Sequence, residues 1–375
     1  MGRDRVLVTG GAGFIGSFVV DSLLRHGHDV RVLDALLPQV HPNGCPAYLN
    51  PEAEFRHGDV RDLDTVRSAL DAIDVVVHFA AAVGVGQSMY EVVHYSSVNV
   101  LGTATLLEAM VKSPTRPRRL LVASSMSIYG EGRYECAACG SQDPDPRGAA
   151  QLERHDWGMY CNRCGQVMEP RPTPETKRLA PTSVYAIGKR DQEEMVLTVS
   201  ASLGIPAVAL RFFNVYGERQ ALSNPYTGVG AIFSSALFNQ RRPLVFEDGQ
   251  QLRDFIHVSD VVEACTLAIQ RENVRGIVLN VGTGRPTSVL DLARLLAREI
   301  PGGQDLAPEV VGRFRHGDIR ACYADVSRAR EVLGFSARVP LERGVRELAA
   351  WVAHQESQDH SKMALRELER HRLVR

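Results

Sequence analysis

The sequence predicts an α/β protein: a doubly wound, mostly parallel sheet with helices on both faces, a smaller second domain towards the C-terminus and one cysteine-rich insertion. Three observations predict it. Short apolar runs at 6–8, 30–33, 75–79, 120–123, 207–210 and 277–279 alternate with helical patterns such as 98–111 and 185–202, and such alternation requires right-handed crossovers onto a parallel sheet covered on both sides. The first apolar run ends in a glycine-rich turn that opens a helix. The chain has 375 residues, 44% of them apolar and 23% charged, enough for two to three domains of about 150 residues without disulfide support.

Composition removes several function classes. The 43 basic and 44 acidic side chains leave a net charge of −1, which argues against disorder and against bulk attraction to nucleic acid. The longest apolar stretch, 75–86, is interrupted by His78 and falls short of the ~20 residues that cross a bilayer. Arg3, Asp4 and Arg5 lead straight into the glycine turn where a signal peptide would carry its apolar block, and Val6 spoils a myristoylation signal. The expected address is the cytosol, with no membrane and no nucleic-acid partner.

Taken in chain order, the strand at 6–8 runs into Gly10, Gly13, Phe14, Ile15 and Gly16, and the helix continues through Val19, Val20, Leu23 and Leu24 until Gly27 stops it. Gly10, Gly13 and Gly16 let bare backbone approach a pyrophosphate, while the helix start offers N–H groups to its charge. The next strand ends at Asp34, 18 positions past Gly16. A carboxylate there accepts hydrogen bonds from an adenosine ribose and repels a 2′-phosphate, so NAD is expected rather than NADP, in a Rossmann-type sheet.

Seven cysteines stand in a chain expected in a reducing compartment. Cys136, Cys139 and Cys161, Cys164 form two Cys-x2-Cys-Gly pairs, the spacing of a tetrahedral thiolate site, with zinc expected and iron the minority alternative. The glycine after each pair supplies the left-handed backbone of a tight turn. Four unrelated buried thiols is the competing reading; Cys45, Cys265 and Cys322 stand alone.

Residues 1–134, 175–216 and 255–285 are assigned to the dinucleotide-binding domain, 135–174 to the metal-binding insertion, 217–254 with 286–348 to the smaller domain, and 349–375 to a helical tail read as solvated. Tyr185 and Lys189 lie one turn apart on one helix face. A free phenol titrates near ~10, and a neighbouring ammonium stabilises its phenolate as a general base.

With these residues in view, the sequence resembles the extended short-chain dehydrogenase/reductases of the NAD-dependent epimerase/dehydratase type, which act on nucleotide sugars. The resemblance spans roughly 6–348 outside the insertion. Beyond the glycine turn and Tyr185/Lys189 it rests on Gly58-Asp59-Val60-Arg61-Asp62, His78-Phe79-Ala80-Ala81, Asn99 in Val98-Asn99-Val100-Leu101-Gly102-Thr103, and Ser124-Ser125-Met126-Ser127-Ile128-Tyr129-Gly130. Arg211-Phe212-Phe213-Asn214-Val215-Tyr216-Gly217, Arg253-Asp254-Phe255-Ile256-His257-Val258 and Gly317-Asp318-Ile319-Arg320 complete it.

The resemblance implies that Asp59 and Val60 meet the adenine, that Ala80 and Ala81 line the diphosphate path and that Phe79 and Asn99 serve the cofactor site. It implies catalytic roles for Ser125, Tyr185 and Lys189, and substrate contacts at Ser127, Asn214, Arg253 and Arg315. An ion pair with Asp254 or Asp260 is the alternative for Arg253; His78 and His257 are read as structural.

Two departures narrow the expectation. Family dehydratases follow the catalytic hydroxyl with an Asp-Glu pair, and here those positions are Met126 and Ser127, neither able to move protons for elimination near neutral pH. The insertion separates Ser125 from Tyr185 by 60 positions, so it is expected near the sugar pocket, and its closed thiolate shell implies a structural metal. It resembles one in a bacterial subgroup of dTDP-L-rhamnose 4-epimerases, as does Gly84-Val85-Gly86-Gln87-Ser88-Met89-Tyr90-Glu91.

The expected activity is reversible inversion at C4 of a nucleotide-linked hexose, such as a 6-deoxyhexose, through a transient 4-ketone with tightly held NAD. The expected assembly is a homodimer paired through helices 98–111 and 185–202. The alternatives are an NAD(P)H-dependent 4-ketoreductase, a 4,6-dehydratase and, outside enzymes, an NAD-sensing zinc-ribbon interaction protein. Arg147, Arg154 and Arg163 face four acids in the cysteine window, Asp143, Asp145, Glu153 and Asp156, which disfavours a phosphate-binding ribbon.

Overall fold

The computed structural model describes residues 3–271, 274–315, 317–355 and 358–375. Seven strands form the main sheet in the order Ile277–Val281, Ala207–Phe212, Arg119–Ser125, Val75–His78, Arg5–Thr9, Asp29–Asp34, Glu54–His57, and every neighbouring pair is parallel. The chain winds outward to Glu54–His57 and then returns to the other side of Arg5–Thr9. That reversal opens a crevice at the carboxyl ends of Arg5–Thr9 and Val75–His78, where open α/β sheets bind ligands.

The period-2 alternation of a strand sends Val6 and Val8 to one face and Leu7 to the other. Val6 and Val8 pack with Val19 and Val20 of the helix Phe14–Arg25 and with Val261 and Ala264 of Val258–Gln270. Leu7 packs with Leu106 and Met110 of Gly102–Lys112 and Val196 of Val184–Leu203. Both faces are dry, which is why these strands read as continuous apolar runs. The helix Val184–Leu203 begins where Ser183 Oγ accepts the Ala186 N–H at 3.1 Å and ends at Gly204, whose φ of 70° is left-handed.

The second domain sits over the carboxyl edge. Its sheet joins Asn214–Tyr216, Leu252–His257, Pro286–Ser288 and Ala321–Cys322. Its core packs Phe233 and Leu237 against Leu292, Leu296, Val345 and Leu348. The strand Leu252–His257 runs through the junction expected at 254/255, and the helix Leu341–Val352 carries the core on to buried Val352.

The insertion, which showed no period in sequence, is a three-stranded antiparallel sheet of Gly140–Gln142, Arg133–Cys136 and Glu169–Arg171 with a short helix Ala149–Glu153. Strands of three or four residues are too short for alternation to register. Tyr134, Cys136, Met159, Cys161 and Met168 bury against Ala321, with Leu252 packed on the cluster.

The tail departs from the solvated helix expected. Ala364 and Leu368, four residues apart on Ser361–Arg370, are buried, and Leu368 lies over Gly86. The chain then pairs Val374 with Arg315 and exchanges backbone hydrogen bonds between Arg375 and Phe314. The tail's many charges had masked this narrow apolar stripe. Among the described residues no helix is long and apolar enough to cross a membrane.

Candidate active site

A cavity of about 640 Å³ lies between the sheet edge and the second domain, within the size range of small-molecule sites. At one end is the glycine turn. Gly10 has φ +70°, and a Cβ there would lie 2.7 Å from the Ala80 nitrogen. A Cβ at Gly16 would lie 2.2 Å from the Gly10 carbonyl oxygen, whereas one at Gly13 would meet that oxygen at 3.3 Å. Gly10 and Gly16 are therefore required by the fold, and Gly13 leaves a bare surface. Gly13, Phe14, Ile15 and Gly16 line the cavity, at a helix start whose first N–H groups have no intrahelical acceptor.

Asp34 lines the same wall and holds the turn in shape, accepting the Ala12 N–H at 3.0 Å and the Leu36 N–H at 2.9 Å. Asp59 and Val60 lie beside it. Arg61, 2.6 Å from Asp59, is the main cause holding the Asp59 carboxyl below its usual range. Phe79, Ala80 and Ala81 continue the wall, the Ala80 N–H bonding Thr9 Oγ1 at 3.2 Å. Asn99 is different. It is fully buried in the π turn Ser97–Leu101 and does not line the cavity. Its amide oxygen accepts the Ala82 N–H at 2.8 Å and its NH2 donates to the Ala82 carbonyl at 3.1 Å. Both functions of the amide are taken by backbone, so Asn99 shapes the site from behind.

The middle of the cavity brings together Ser125, Ser127, Tyr185 and Lys189. Ser125 ends the strand Arg119–Ser125, and its Oγ accepts from the Ser127 hydroxyl at 2.9 Å and the Ser127 N–H at 3.2 Å. Burial pushes the Tyr185 phenol above its ordinary value, and a hydrogen bond with Ser125 opposes that shift. Lys189 is buried and donates to Gln192 Oε1 at 2.8 Å. Desolvation lowers it to about 7, with Glu193 opposing. Glu193 is itself engaged by Arg211, at 2.5 and 3.0 Å. An ammonium carries three donors, so a buried cation facing the cavity with a neutral amide as its partner fits the hydroxyls of a ribose.

His78 bridges Thr9 Oγ1 at 2.8 Å and Thr103 Oγ1 at 2.9 Å, and burial drives it to about 3; it is a neutral structural histidine. His257 caps Val258–Gln270 through Ser259.

The far end carries Asn214, Arg253 and Arg315. Among the described residues Asn214 Oδ1 is buried without a hydrogen-bond partner, an orphan that calls for a ligand donor. The Arg253 guanidinium donates to the Leu252 carbonyl at 2.9 Å and the Ile319 carbonyl at 2.8 Å. The alternative ion pairs are not formed: Asp254 is filled by the N–H groups of Thr283, Gly284 and Ala324 and by the Thr283 hydroxyl, and Asp260 by the N–H groups of Arg338 and Val339. Arg315 bonds Asp318 at 2.8 Å and lies 4.7 Å over the Phe246 ring. Sequence reasoning missed the tail side of the cavity, Ala364, Leu365 and Leu368, although their helical spacing was a usable signal.

The sulfurs of Cys136, Cys139, Cys161 and Cys164 all lie within 4.8 Å of one another. A tetrahedron with metal–sulfur bonds of ~2.3 Å has edges of about 3.8 Å, so the donor set fits zinc and leaves no open position. Gly140 and Gly165 have φ of 76° and 73°, the left-handed turns expected after each pair. N–H groups of Arg163 and Cys164 are the largest causes lowering the Cys161 thiol, to about 7. The insertion is expected near the pocket; no residue of 133–174 lines the cavity itself, and its approach is through Arg147, which donates to the carbonyl of cavity-lining Asp318. The insertion's strands leave the sheet edge and dock behind Leu252 and Ala321, one layer away from Arg253.

A model of the NAD dependent epimerase/dehydratase family matches residues 6–149, and one described as GDP-mannose 4,6 dehydratase matches 164–348. The chain is 36% identical over 354 residues to a dTDP-L-rhamnose 4-epimerase of Burkholderia thailandensis, covering 94% of this chain and 95% of that protein. It is 32% identical to a putative UDP-glucose 4-epimerase of Methanocaldococcus jannaschii, covering 92% and 98%. Among solved structures, the UDP-glucose 4-epimerase of Thermotoga maritima with UDP-glucose aligns at a TM-score of 0.74 and 30% identity, covering 92% of this chain and 98% of that one. The Thermus thermophilus UDP-glucose 4-epimerase in complex with NAD aligns at 0.73 and 28%, covering 94% and 100%.

Proposed function

The chain belongs to the NAD-dependent epimerase/dehydratase family, and on that premise we propose that it is an NAD-dependent nucleotide-sugar 4-epimerase, an isomerase. The observation that carries the reading is one cavity in which Ser125, Tyr185 and Lys189 stand between the glycine turn and Asn214, Arg253 and Arg315. Met126 and Ser127 in place of an acid–base pair favour epimerisation over elimination.

In this mechanism Tyr185 removes the proton of the sugar 4-hydroxyl while Ser125 donates a hydrogen bond to the same oxygen. NAD, when bound, supplies the acceptor and later the donor of the C4 hydrogen. Lys189 holds the cofactor ribose, and its protonated form, one helical turn from Tyr185, favours the phenolate. Asn214, Arg253 and Arg315 hold the diphosphate, about which the keto sugar turns to present its other face. Tyr185 then returns the proton to the inverted alcohol.

The finer reading is a 6-deoxyhexose carried on dTDP, such as dTDP-L-rhamnose. It is supported by the Burkholderia relative and by the apolar wall that Ala364, Leu365 and Leu368 lend the cavity. Structural zinc at the four thiolates and a cytosolic setting belong to the same proposal, as does a homodimer, supported by exposed Val93, Leu101, Val111 and Ile187 on the helical flank. Tyr185→Phe, incubated with dTDP-L-rhamnose and UDP-glucose and read by NMR of C4 epimers, should lose turnover by at least about a hundredfold. Turnover near wild type would sink the assignment, and a requirement for one added reduced cofactor per product would replace it with a ketoreductase.

A further inference from the structure

The insertion lies outside the cavity, yet one of its side chains reaches the residues that hold Arg315. Arg147, between the two cysteine pairs, has a side chain only 2% exposed that forks onto Glu247 at 2.8 and 2.9 Å. The same guanidinium donates to the Asp318 carbonyl at 3.3 Å and lies 3.9 Å from Glu131. Glu247 is buried, has φ +52° and bonds through its N–H to the Arg313 carbonyl at 2.7 Å.

Phe246, the residue before it, lies beneath the Arg315 guanidinium, and Asp318 bonds Arg315 directly. Both supports of Arg315 are thus tied to one buried cation from the insertion. Arg320 fastens the opposite side of the loop, onto Asp248 at 2.6 and 2.9 Å, and reaches Glu247 only at the longer distance of 3.4 Å, while Glu131 receives the N–H groups of Arg320 and Ala321 at 2.7 and 3.2 Å.

We infer that Arg147 is a positioning residue: it sets the orientation of Arg315 towards the substrate diphosphate, so that the four-cysteine fold governs nucleotide-sugar affinity and leaves the C4 chemistry alone. The inference rests on reading Asn214, Arg253 and Arg315 as the diphosphate subsite. A bidentate pair between a buried guanidinium and a buried carboxylate fixes angle as well as distance, and a lysine cannot replace that fork. Glu247, held in left-handed backbone that a non-glycine residue adopts only under constraint, would keep only the single 3.4 Å side-chain contact to Arg320 without that fork, and its shift would move Phe246.

The test is equilibrium binding of dTDP, UDP and the free nucleosides to the full chain by calorimetry, with bound NAD and metal measured on the same samples. Arg147→Met should weaken binding of each nucleoside diphosphate about tenfold, the scale of one misaligned charge-assisted bond. Nucleoside binding, NAD content and metal content should stay within twofold. KM for the sugar nucleotide should rise with kcat nearly unchanged. Arg147→Lys should restore thermal stability but not diphosphate affinity.

On an Arg315→Met background, Arg147→Met should add no further loss. Additive losses, or a wild-type diphosphate affinity in Arg147→Met, would overturn the inference. Should Arg147→Met fail to fold, Glu247→Gln carries the same expectations and the same refutation. If wild type binds dTDP and Arg147→Met weakens it while neither interconverts C4 epimers, the epimerase reading fails and the positioning role stands.

Discussion

Replacing Gly13 and Gly16 separately by alanine should divide cofactor binding from folding. A methyl at Gly16 would sit 2.2 Å from the Gly10 carbonyl oxygen and 2.8 Å from the Gly11 Cα, about 1 Å inside ordinary contact with atoms that cannot rotate away. Overpacking of that kind costs about 3 kcal/mol, and with an unfolding entropy of ~2.1 cal/mol/K per residue the midpoint of the cofactor-free protein should fall by about 4 °C. At Gly13 the backbone is ordinary, with φ −72°, and the methyl meets the Gly10 oxygen at 3.3 Å. The folding penalty there should stay below about 1 kcal/mol, partly offset by lost unfolded-state entropy. The methyl nonetheless covers the surface a pyrophosphate would approach, and losing two hydrogen bonds to a charged group weakens NAD by ~3 kcal/mol or more, over a hundredfold. Thermal melting of stripped protein and calorimetric titration with NAD read the two effects apart. The reasoning is refuted if Gly13→Ala melts as low as Gly16→Ala, or if it binds NAD like wild type.

The cysteine cluster and the buried ammonium give two further expectations. Cys136→Ser should release about one equivalent of zinc per chain to a colorimetric chelator and expose the insertion to protease; NAD content should persist because no residue of the insertion lines the cavity, and simultaneous loss of NAD would contradict that separation. Burial pushes Lys189 down to about 7 from an ordinary value near 10.5, so the unfolded chain binds its proton more tightly and Lys189 destabilises the cofactor-free fold most below about pH 7, the effect fading as pH rises towards 10.5. Lys189→Met should therefore exceed wild type by a few kcal/mol at pH 6 in denaturant titrations and lose that lead by pH 10; a gap that does not change with pH would contradict the burial argument.

The central sheet was legible because its strands are buried on both faces and its helices carry long periodic stripes; the run 207–210 needed no partner information to read as a strand. The small sheet of the insertion was not legible, since its pairing is fixed by thiolates and by burial against Ala321, neither of which is local in sequence. Chain adjacency also misled: the insertion joins the Ser125 strand to the Tyr185 helix, yet Arg133–Cys136 carries it away and Thr173 brings it back beside Ala324. The site residues were legible as types, while their partners were not. Nothing in the sequence showed that Gln192 would take the Lys189 ammonium, or that Arg253 would bond carbonyls and leave Asp254 to three loop N–H groups and a hydroxyl.

The π turn at Ser97–Leu101 holds one residue more than an α-helix would use over the same rise, so the segments before and after it are out of phase by about 100°. Tyr95, just upstream, is buried against Ala82, Val184 and Tyr185 and donates to Gln87 at 2.9 Å. Excising a single residue from the turn would rewind the helix and swing that ring out from under the tyrosine. One surplus amino acid thus acts as a clocking device for the packing beneath Tyr185, and a gap of one at this point in a homologue would signal a differently shaped floor to the pocket.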